Sequence, residues 1–267
     1  NVSSQYISSL LLIAAKLENG LEIELLGKIT SIPYINMTLS LLWQLGIEAS
    51  FVGSKITVLP KKAIEKQTVV VESDWSSASY FYALIASAEI GAEIKLSAYK
   101  KDSLQGNDVL KNNYRKMGVE TSFEASRIKL KKTTNTLPPS IDIDLANAPD
   151  IAQTIVVSCL RLQIQCRLTG LHTLKIKETD RLEALKSEIF KFGTDLNITN
   201  DSLSLLDPKP LMSGATVETY NDHRMAMAFA PLALLTSFSI NEAEVVSKSF
   251  PDFWENLSEL GFNISES

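Results

Sequence analysis

The sequence predicts an α/β fold of the α+β kind built from one repeated unit, and two observations carry this prediction. An apolar, helix-like stretch that ends in glycine recurs four times at near-equal spacing, closing at Gly46, Gly118, Gly193 and Gly261. A strand-like segment follows each of these glycines. Self-similarity at a fixed period is typical of repeat architectures. The predicted order within a unit is helix, strand, helix, strand, strand.

Each element follows from its local pattern. The first helices of the units have apolar residues at helical spacing and are predicted at 6–17, 77–88, 151–162 and 223–235. Strands rich in β-branched residues are predicted after them at 21–26, 92–97, 164–169 and 238–243. The strands after the Gly-terminated helices are predicted at 47–52, 119–123, 194–198 and 262–265, and three units add a further strand at 55–58, 127–130 and 203–205. A strand, a crossover helix and a strand in succession predict a right-handed βαβ arrangement.

Both ends of the chain depart from the repeat. The first unit has no strand ahead of its helix, the last lacks its final strand, and the chain begins with Asn1 rather than methionine. We therefore expect that the chain either was processed or is a piece of a longer protein. A mild change of composition from Pro60 to Gln67 places the best boundary near residues 68–73, which divides the chain into 1–72 and 73–267.

Composition and charge exclude several classes of protein. The chain has 267 residues, 45% hydrophobic and 21% charged, which is ample for packed cores. Its net charge of −5 and the lack of long basic runs argue against nucleic acid or an anionic membrane as a partner. The longest apolar run, 225–235, is far short of the ~20 residues of a membrane span, so we expect a cytoplasmic protein. Two cysteines and two histidines are too few for a disulfide framework or a zinc site, so no metal is expected.

Polar and charged residues collect where helices are predicted to begin. A helix N-terminus attracts anions, but Ser, Asp and Asn at that position are also ordinary helix caps. Lys177, Arg181, Arg224 and Lys248 resist the capping explanation, because a cation is disfavoured at the positive end of a helix unless an anion is bound. Together they predict a site for a ligand carrying phosphate and carboxylate groups. The role of Glu178 remains open, because an i,i+3 ion pair with Arg181 would also explain its presence at this position.

The motifs at these openings resemble the 5-enolpyruvylshikimate-3-phosphate synthase family, and the resemblance extends along essentially the whole chain. In chain order they are residues 1–5 (NVSSQ), 33–34 (PY), 76–80 (SSASY), 149–150 (PD), 177–181 (KETDR), 220–224 (YNDHR) and 248–252 (KSFPD). The resemblance implies a two-domain, inside-out α/β barrel of six βαβαββ units, with helices inside and sheets outside. About four units would be present here, the first in 1–72 and three in 73–267.

The resemblance also implies an activity and its residues. The family transfers the enolpyruvyl group of phosphoenolpyruvate to the 5-hydroxyl of shikimate 3-phosphate, releases phosphate, and serves the shikimate pathway toward chorismate and the aromatic amino acids. It uses no metal or organic cofactor, and the full-length protein is expected to be a monomer. Residues expected to bind shikimate 3-phosphate are Ser3, Ser4, Gln5, Ser31, Tyr34, Asp150, Thr173 and Lys177. Those expected to bind phosphoenolpyruvate are Arg181, Arg224 and Lys248, and the catalytic residues are Asp150, Lys177 and Glu178.

Two departures from the family pattern accompany the resemblance. Thr173 stands where many relatives have Asn, and Ile32 stands where a basic residue often precedes Pro-Tyr. The expected loss of N-terminal ligands makes us expect little or no turnover by this chain alone. Two alternatives remain: an enzyme like the UDP-N-acetylglucosamine enolpyruvyl transferase, expected to lack the KETDR and NDHR motifs, and a non-catalytic anion-binding repeat module.

Overall fold

The computed structural model describes residues 4–27 and 32–266, and its first unit follows the predicted order. The elements are α1 (Ser4–Ala14), β1 (Leu21–Glu24), α2 (Ile32–Gln44), β2 (Ala49–Val52) and β3 (Lys55–Val58). The strand β3 lies between β1 and β2, antiparallel to both. Leu11, Ile35 and Ile56, which are fully buried, belong to the hydrophobic cluster of this unit, so both helices pack onto one face of the sheet.

The second unit has the same plan with a shorter second helix. Its elements are α3 (Trp75–Ser87), β4 (Glu93–Ser97), a 3₁₀ helix (Gly106–Val109), α4 (Leu110–Arg115), β5 (Val119–Glu124) and β6 (Arg127–Lys132). The strands form an antiparallel sheet in the order β4-β6-β5. Gly118 ends the α4 region with a φ of +82°, a conformation that glycine adopts without strain.

The third unit supplies a βαβ arrangement. Its elements are β7 (Ser140–Asp144), a 3₁₀ turn (Pro149–Ile151), α5 (Ala152–Leu162), β8 (Gln165–Thr169), a 3₁₀ helix (His172–Ile176), α6 (Arg181–Lys191), β9 (Asn197–Ile198) and β10 (Leu203–Leu205). The sheet order is β7-β8-β10-β9. The strands β7 and β8 are parallel and α5 connects them, although β7 itself was not predicted from the sequence.

The fourth unit contains the smallest sheet. Its elements are β11 (Thr216–Val217), α7 (His223–Phe229), a 3₁₀ helix (Ala230–Leu234), β12 (Ser239–Ile240), a 3₁₀ helix (Ala243–Lys248) and α8 (Phe253–Glu259). The strands β11 and β12 are parallel. Helix α5 contacts both α3 and α7, and every residue of α3 except Ser77 is buried. A helix buried on all sides lies in a core, so helices occupy the interior here and the sheets lie outside them.

Several predicted boundaries are wrong. The helix predicted at 223–235 ends at Phe229, because Pro231 lacks the N–H needed to continue it. The strand predicted at 238–243 shrinks to Ser239–Ile240, because Glu242 adopts a φ of 51° and a 3₁₀ helix follows. The strand predicted at 262–265 is absent from the described residues, where no strand pairs with this segment. The strands β7 and β11 are unpredicted, although β7 alternates between exposed aspartate and buried isoleucine.

The described residues form two hydrophobic clusters, one within residues 11–58 and one within 75–257. The segment 59–72 between them contains no helix or strand. The division into 1–72 and 73–267 stays a prediction. Among the described residues, no helix is both long enough and apolar enough to cross a membrane.

Candidate active site

Three of the predicted helix openings meet beside the central helices. The 3₁₀ turn Pro149–Ile151 precedes α5 and contacts the 3₁₀ helix His172–Ile176. Arg181 is the first residue of α6, and Asp222 caps α7. Side chains from these openings bond to one another, so residues distant in sequence form one site.

The side chain of Arg181 lies at the centre of this site and is only 1% exposed. Its Nε atom lies 2.6 Å from Oδ2 of Asp222, and its Nη1 atom lies 2.9 Å from Oδ1 of Asp150. Its Nη2 atom lies 2.6 Å from Oε2 of Glu178 and 3.3 Å from Oδ1 of Asp222. Such charge-assisted bonds are strong and directional. Three carboxylates thus neutralise this buried guanidinium and hold it in one orientation.

Three cations approach Asp150. Besides Arg181, Lys177 places its Nζ atom 3.3 Å from Oδ1, and Arg224 donates from Nη1 to the backbone carbonyl of Asp150 at 3.2 Å. Burial raises the pKa of the Asp150 carboxyl, but Arg224, Lys177 and Arg181 together lower it by more, so it lies well below its usual range. Burial in turn lowers the pKa of Arg224, but Asp150 and neighbouring groups raise it further, above its usual value. Both groups are therefore ionised at neutral pH.

Helix capping explains the aspartates at three helix starts, but it does not explain Asp150. Asp74, Asp180 and Asp222 each accept a hydrogen bond from the backbone N–H two residues later, as N-caps do. No side-chain cap bond is present at the start of α5, where Asp150 lies. Its carboxylate is instead committed to Lys177 and Arg181, so an ordinary capping role does not explain it.

The ion pair considered for Glu178 is formed. Its Oε2 atom lies 2.6 Å from Nη2 of Arg181 at i,i+3 spacing, while 40% of the Glu178 side chain is exposed. Of the three carboxylates on Arg181, Glu178 is the most exposed. It is therefore the one that a ligand displaces at the lowest cost in buried contacts.

An unusual turn brings Lys248 to the edge of the site. Tyr220 and Asn221 have φ values of 54° and 57°, in the left-handed region that costs a non-glycine residue about 1–2 kcal/mol. The Nζ atom of Lys248 lies 3.0 Å from the backbone oxygen of Asn221 and 2.6 Å from its Oδ1. Because Asp222 follows directly and binds Arg181, this turn links the two cations.

The first unit reaches the site at the beginning of α2. Burial raises the pKa of Tyr34 well above its usual value, and the charges of Asp150 and Asp74 add to this effect. Pro33 lies against Gly106, where an added Cβ would stand 3.0 Å from the Cβ of Pro33. The missing side chain at Gly106 is what allows this approach.

The remaining residues expected to bind shikimate 3-phosphate are Ser3, Ser4, Gln5, Ser31 and Thr173. Ser3 and Ser31 lie outside the described residues. Ser4, which is buried, and Gln5, which is exposed, begin α1. The hydroxyl of Thr173 is buried without a hydrogen-bond partner in the described part of the chain. The roles assigned to these residues stay predictions.

Asp222 and His223 were not among the site residues expected from the sequence. Asp222 is fully buried against Arg181, and its Asn-Asp-His-Arg context before an apolar helix was the available signal. Ligand atoms of Glu178, Asp222 and His223 lie within 4.8 Å of one another, a grouping that spacing did not reveal. Both carboxylates already bind Arg181, whose charge opposes a metal cation, so this set does not fit a metal ion. Burial, reinforced by Arg224, lowers the pKa of His223.

The arrangement suits an anionic ligand that undergoes proton transfer. Four cations, Lys177, Arg181, Arg224 and Lys248, lie at or beside these helix openings. Fixed positive charge in a partly buried cleft binds phosphate and carboxylate groups strongly. The ionised carboxylate of Asp150 beside it is a candidate proton acceptor for such a ligand.

Comparison with known proteins identifies the family of this chain. Residues 1–257 match the family model described as EPSP synthase (3-phosphoshikimate 1-carboxyvinyltransferase). A Bacteroides fragilis (strain YCH46) protein named 3-phosphoshikimate 1-carboxyvinyltransferase is 44% identical over 267 residues, covering 99% of this chain. A protein of the same name from Shewanella halifaxensis is 34% identical and covers 97% of the chain. The chain spans 65% of the length of the first relative and 60% of the second.

Solved structures share the fold at lower identity. EPSP synthase from Acinetobacter baumannii superposes with a TM-score of 0.80 at 24% identity, over 99% of this chain and 62% of that one. The enolpyruvyl transferase NikO from Streptomyces tendae gives a TM-score of 0.64 at 15% identity, over 96% of this chain and 58% of that one. These likenesses confirm the predicted class of fold, and the family model covers nearly the whole chain. The chain belongs to the EPSP synthase family.

Proposed function

We propose that this chain takes part in transferring the enolpyruvyl group of phosphoenolpyruvate to the 5-hydroxyl of shikimate 3-phosphate, with release of phosphate. The observation that carries the proposal is the cluster of Lys177, Arg181 and Arg224 around the ionised Asp150. The substrates named are those implied by the family. Both are polyanions, and this cluster supplies fixed positive charge together with a carboxylate.

Binding of phosphoenolpyruvate is expected to rearrange the ion pairs. Arg224 and Lys248 have no carboxylate partner within ion-pair distance in the described residues, so they are open to the ligand. Arg181 already has three carboxylates. A ligand anion therefore reaches Arg181 most readily by displacing the exposed Glu178, which leaves Glu178 free to exchange a proton with the methylene carbon of the substrate.

Asp150 is proposed to act at the 5-hydroxyl of shikimate 3-phosphate. With its pKa held so low, the resting carboxylate is a weak base but a good hydrogen-bond acceptor for orienting a hydroxyl. Substrate anions that engage Arg224 and Lys177 reduce the effect of these cations on Asp150. The pKa of Asp150 then rises, and its strength as a proton acceptor increases when the substrates are in place.

Helix α1 indicates that the site needs more than this chain. Tyr6, Leu10 and Ile13 follow helical spacing on α1 and are 68%, 47% and 55% exposed. An apolar stripe of this kind is typical of a face that another segment covers. Because the curated relatives are longer than this chain, we propose that their remaining segment covers this face and completes the shikimate 3-phosphate side of the cleft.

The test measures phosphate release with both substrates. The chain is assayed alone and mixed with the unmatched segment of the Bacteroides fragilis relative, and Arg224→Gln in the same mixture is the matched control. Activity only in the mixture, lost in the control, supports the proposal. No activity in the mixture, together with equal affinity for shikimate 3-phosphate and inorganic phosphate, would instead favour a non-catalytic anion-binding module.

A further inference from the structure

Glu188 lies outside the proposed site, two turns along α6 from Arg181, yet it is fully buried. Its Oε1 atom accepts a hydrogen bond from the hydroxyl of Tyr220 at 2.7 Å. Its Oε2 atom accepts bonds from the backbone N–H of Glu218 at 3.0 Å and from Lys191 at 2.7 Å. A buried carboxylate is costly unless such partners satisfy it. Two of its three partners belong to the segment that leads into α7.

Helix α6 therefore holds this segment at two points. Arg181 binds Asp222 at one end, and Glu188 binds Tyr220 and the preceding backbone at the other. Between the two anchors, Tyr220 and Asn221 both adopt left-handed φ values. Two successive non-glycine residues persist in that conformation only where their surroundings hold them. Glu188 holds the Tyr220 hydroxyl, and Ser187, the residue before it on α6, also hydrogen-bonds to Tyr220.

The turn presents two oxygen atoms of Asn221 to a single ammonium group. Lys248 donates to both the backbone oxygen and Oδ1 of Asn221, at 3.0 and 2.6 Å. These two bonds fix the direction of an otherwise exposed and flexible side chain. If the turn relaxed, both acceptors would move together, because they belong to the same residue.

We infer that Glu188 is a positioning residue for Lys248, acting through the Tyr220–Asn221 turn. Its importance for phosphoenolpyruvate binding rests on the function proposed above, in which Lys248 meets the ligand anion. The structural part, that Glu188 and Tyr220 fix the Lys248 ammonium, is independent of any ligand. The two parts therefore need separate measurements.

The first measurement is the rate at which Lys248 is acetylated by an N-hydroxysuccinimide ester, followed by peptide mass spectrometry. Lys186, exposed on α6 and without an ion pair in the described residues, is the internal reference. The two bonds to Asn221 hold the Lys248 nitrogen against the turn, so their loss makes it more accessible to the ester. Tyr220→Phe, which removes only the hydroxyl, is expected to raise the Lys248 rate about threefold to tenfold relative to Lys186.

Three further variants make this measurement decisive. Asn221→Ala removes Oδ1, one of the two acceptors, and is expected to raise the rate by direct loss of that bond. Glu188→Gln keeps the shape of the side chain and is expected to give a smaller increase than Tyr220→Phe. Lys191→Gln removes the one partner of Glu188 named above that lies outside the segment leading into α7, and is expected to leave the Lys248 rate unchanged. An unchanged rate in Tyr220→Phe beside a raised rate in Asn221→Ala would overturn the inference, as would an equal increase in Lys191→Gln.

The second measurement is the dissociation constant of phosphoenolpyruvate by calorimetry. Tyr220→Phe is expected to weaken binding about threefold to tenfold, and to have no further effect in a Lys248→Ala background. Equal weakening in both backgrounds would mean that Tyr220 does not act through Lys248. If the unaltered chain, mixed with the unmatched segment of the Bacteroides fragilis relative, binds no phosphoenolpyruvate, the proposed function fails, while the acetylation rates still decide whether Glu188 positions Lys248.

Discussion

Arg181 and Asp150 are 31 positions apart in the sequence, yet Nη1 of Arg181 lies 2.9 Å from Oδ1 of Asp150. The same guanidinium binds Asp222, which is 41 positions further along the chain. One buried side chain thus joins the starts of α5, α6 and α7. Its loss would affect both the stability of the fold and the charge of the site.

Arg181→Gln should lower the free energy of unfolding by about 3–5 kcal/mol, because it leaves the fully buried Asp222 without its compensating cation. Urea unfolding at pH 7 measures the change. Arg127→Gln, at an exposed position on β6, is the matched control and should change it by less than about 0.5 kcal/mol. Similar losses in both variants would show that Asp222 does not depend on Arg181.

Asp150→Asn should destabilise the protein at pH 7, and the difference should shrink on acidification. The pKa of Asp150 is depressed in the folded state, whereas the unfolded chain has an ordinary value of about 3.9. The stabilising contribution is therefore complete above about pH 5 and is lost as the pH falls through 3.9 toward the lower folded value. Urea unfolding from pH 7 to 3 measures it, with the exposed Asp142→Asn as control. A difference that stays constant with pH would contradict the depressed pKa.

Glu178→Gln should reduce turnover without weakening phosphoenolpyruvate binding. Loss of the carboxylate removes the proposed proton-transfer group, which is worth about 10²–10⁴ in rate. It also removes a negative charge that the ligand must displace from Arg181. Phosphate release in the supplemented chain and calorimetry measure the two effects, with the exposed Glu183→Gln on α6 as control. Weaker binding with normal turnover would assign Glu178 to the ligand pocket instead of the chemistry.

Gly106→Ala should separate the start of α2 from the second unit. The new Cβ would lie 2.7 Å from the carbonyl oxygen of Asn147 and 3.0 Å from the Cβ of Pro33, so the proline must move. The rate of Tyr34 nitration by tetranitromethane should then rise, since Tyr34 follows Pro33 directly. Gly214→Ala is the control, because it strains the backbone at a φ of +75° with no atom within 4 Å of the added Cβ. No change at Tyr34 would show that the contact tolerates a methyl group.

Local patterns predicted much of the secondary structure. The strands β3 and β10 match their predicted ranges, and the predicted strand at 127–130 lies within β6. Hydrophobic periodicity and turn-forming glycines are properties of neighbouring residues, so they can be detected without the fold. The motifs also identified the family, which the family model confirms.

Pairing between distant strands was the least predictable part of the fold. The two-residue strands β11 and β12 exist because Thr216 and Val217 lie beside Ser239 and Ile240. The segment 262–265 resembles a strand in sequence but has no partner among the described residues. A strand is stabilised by hydrogen bonds to its neighbour, and that neighbour is set by the tertiary fold.

The candidate site, like the fold, was predictable from the sequence only in part. The sequence alone determined that cations collect at predicted helix openings and that Glu178, three residues before Arg181, is near enough along the chain to pair with it. Only the tertiary structure decided that Arg181 is saturated by carboxylates, that Asp150 stays ionised, and that Glu188 holds the turn beside Lys248. Charge interactions depend on distance and burial, and packing sets both for residues that are far apart along the chain.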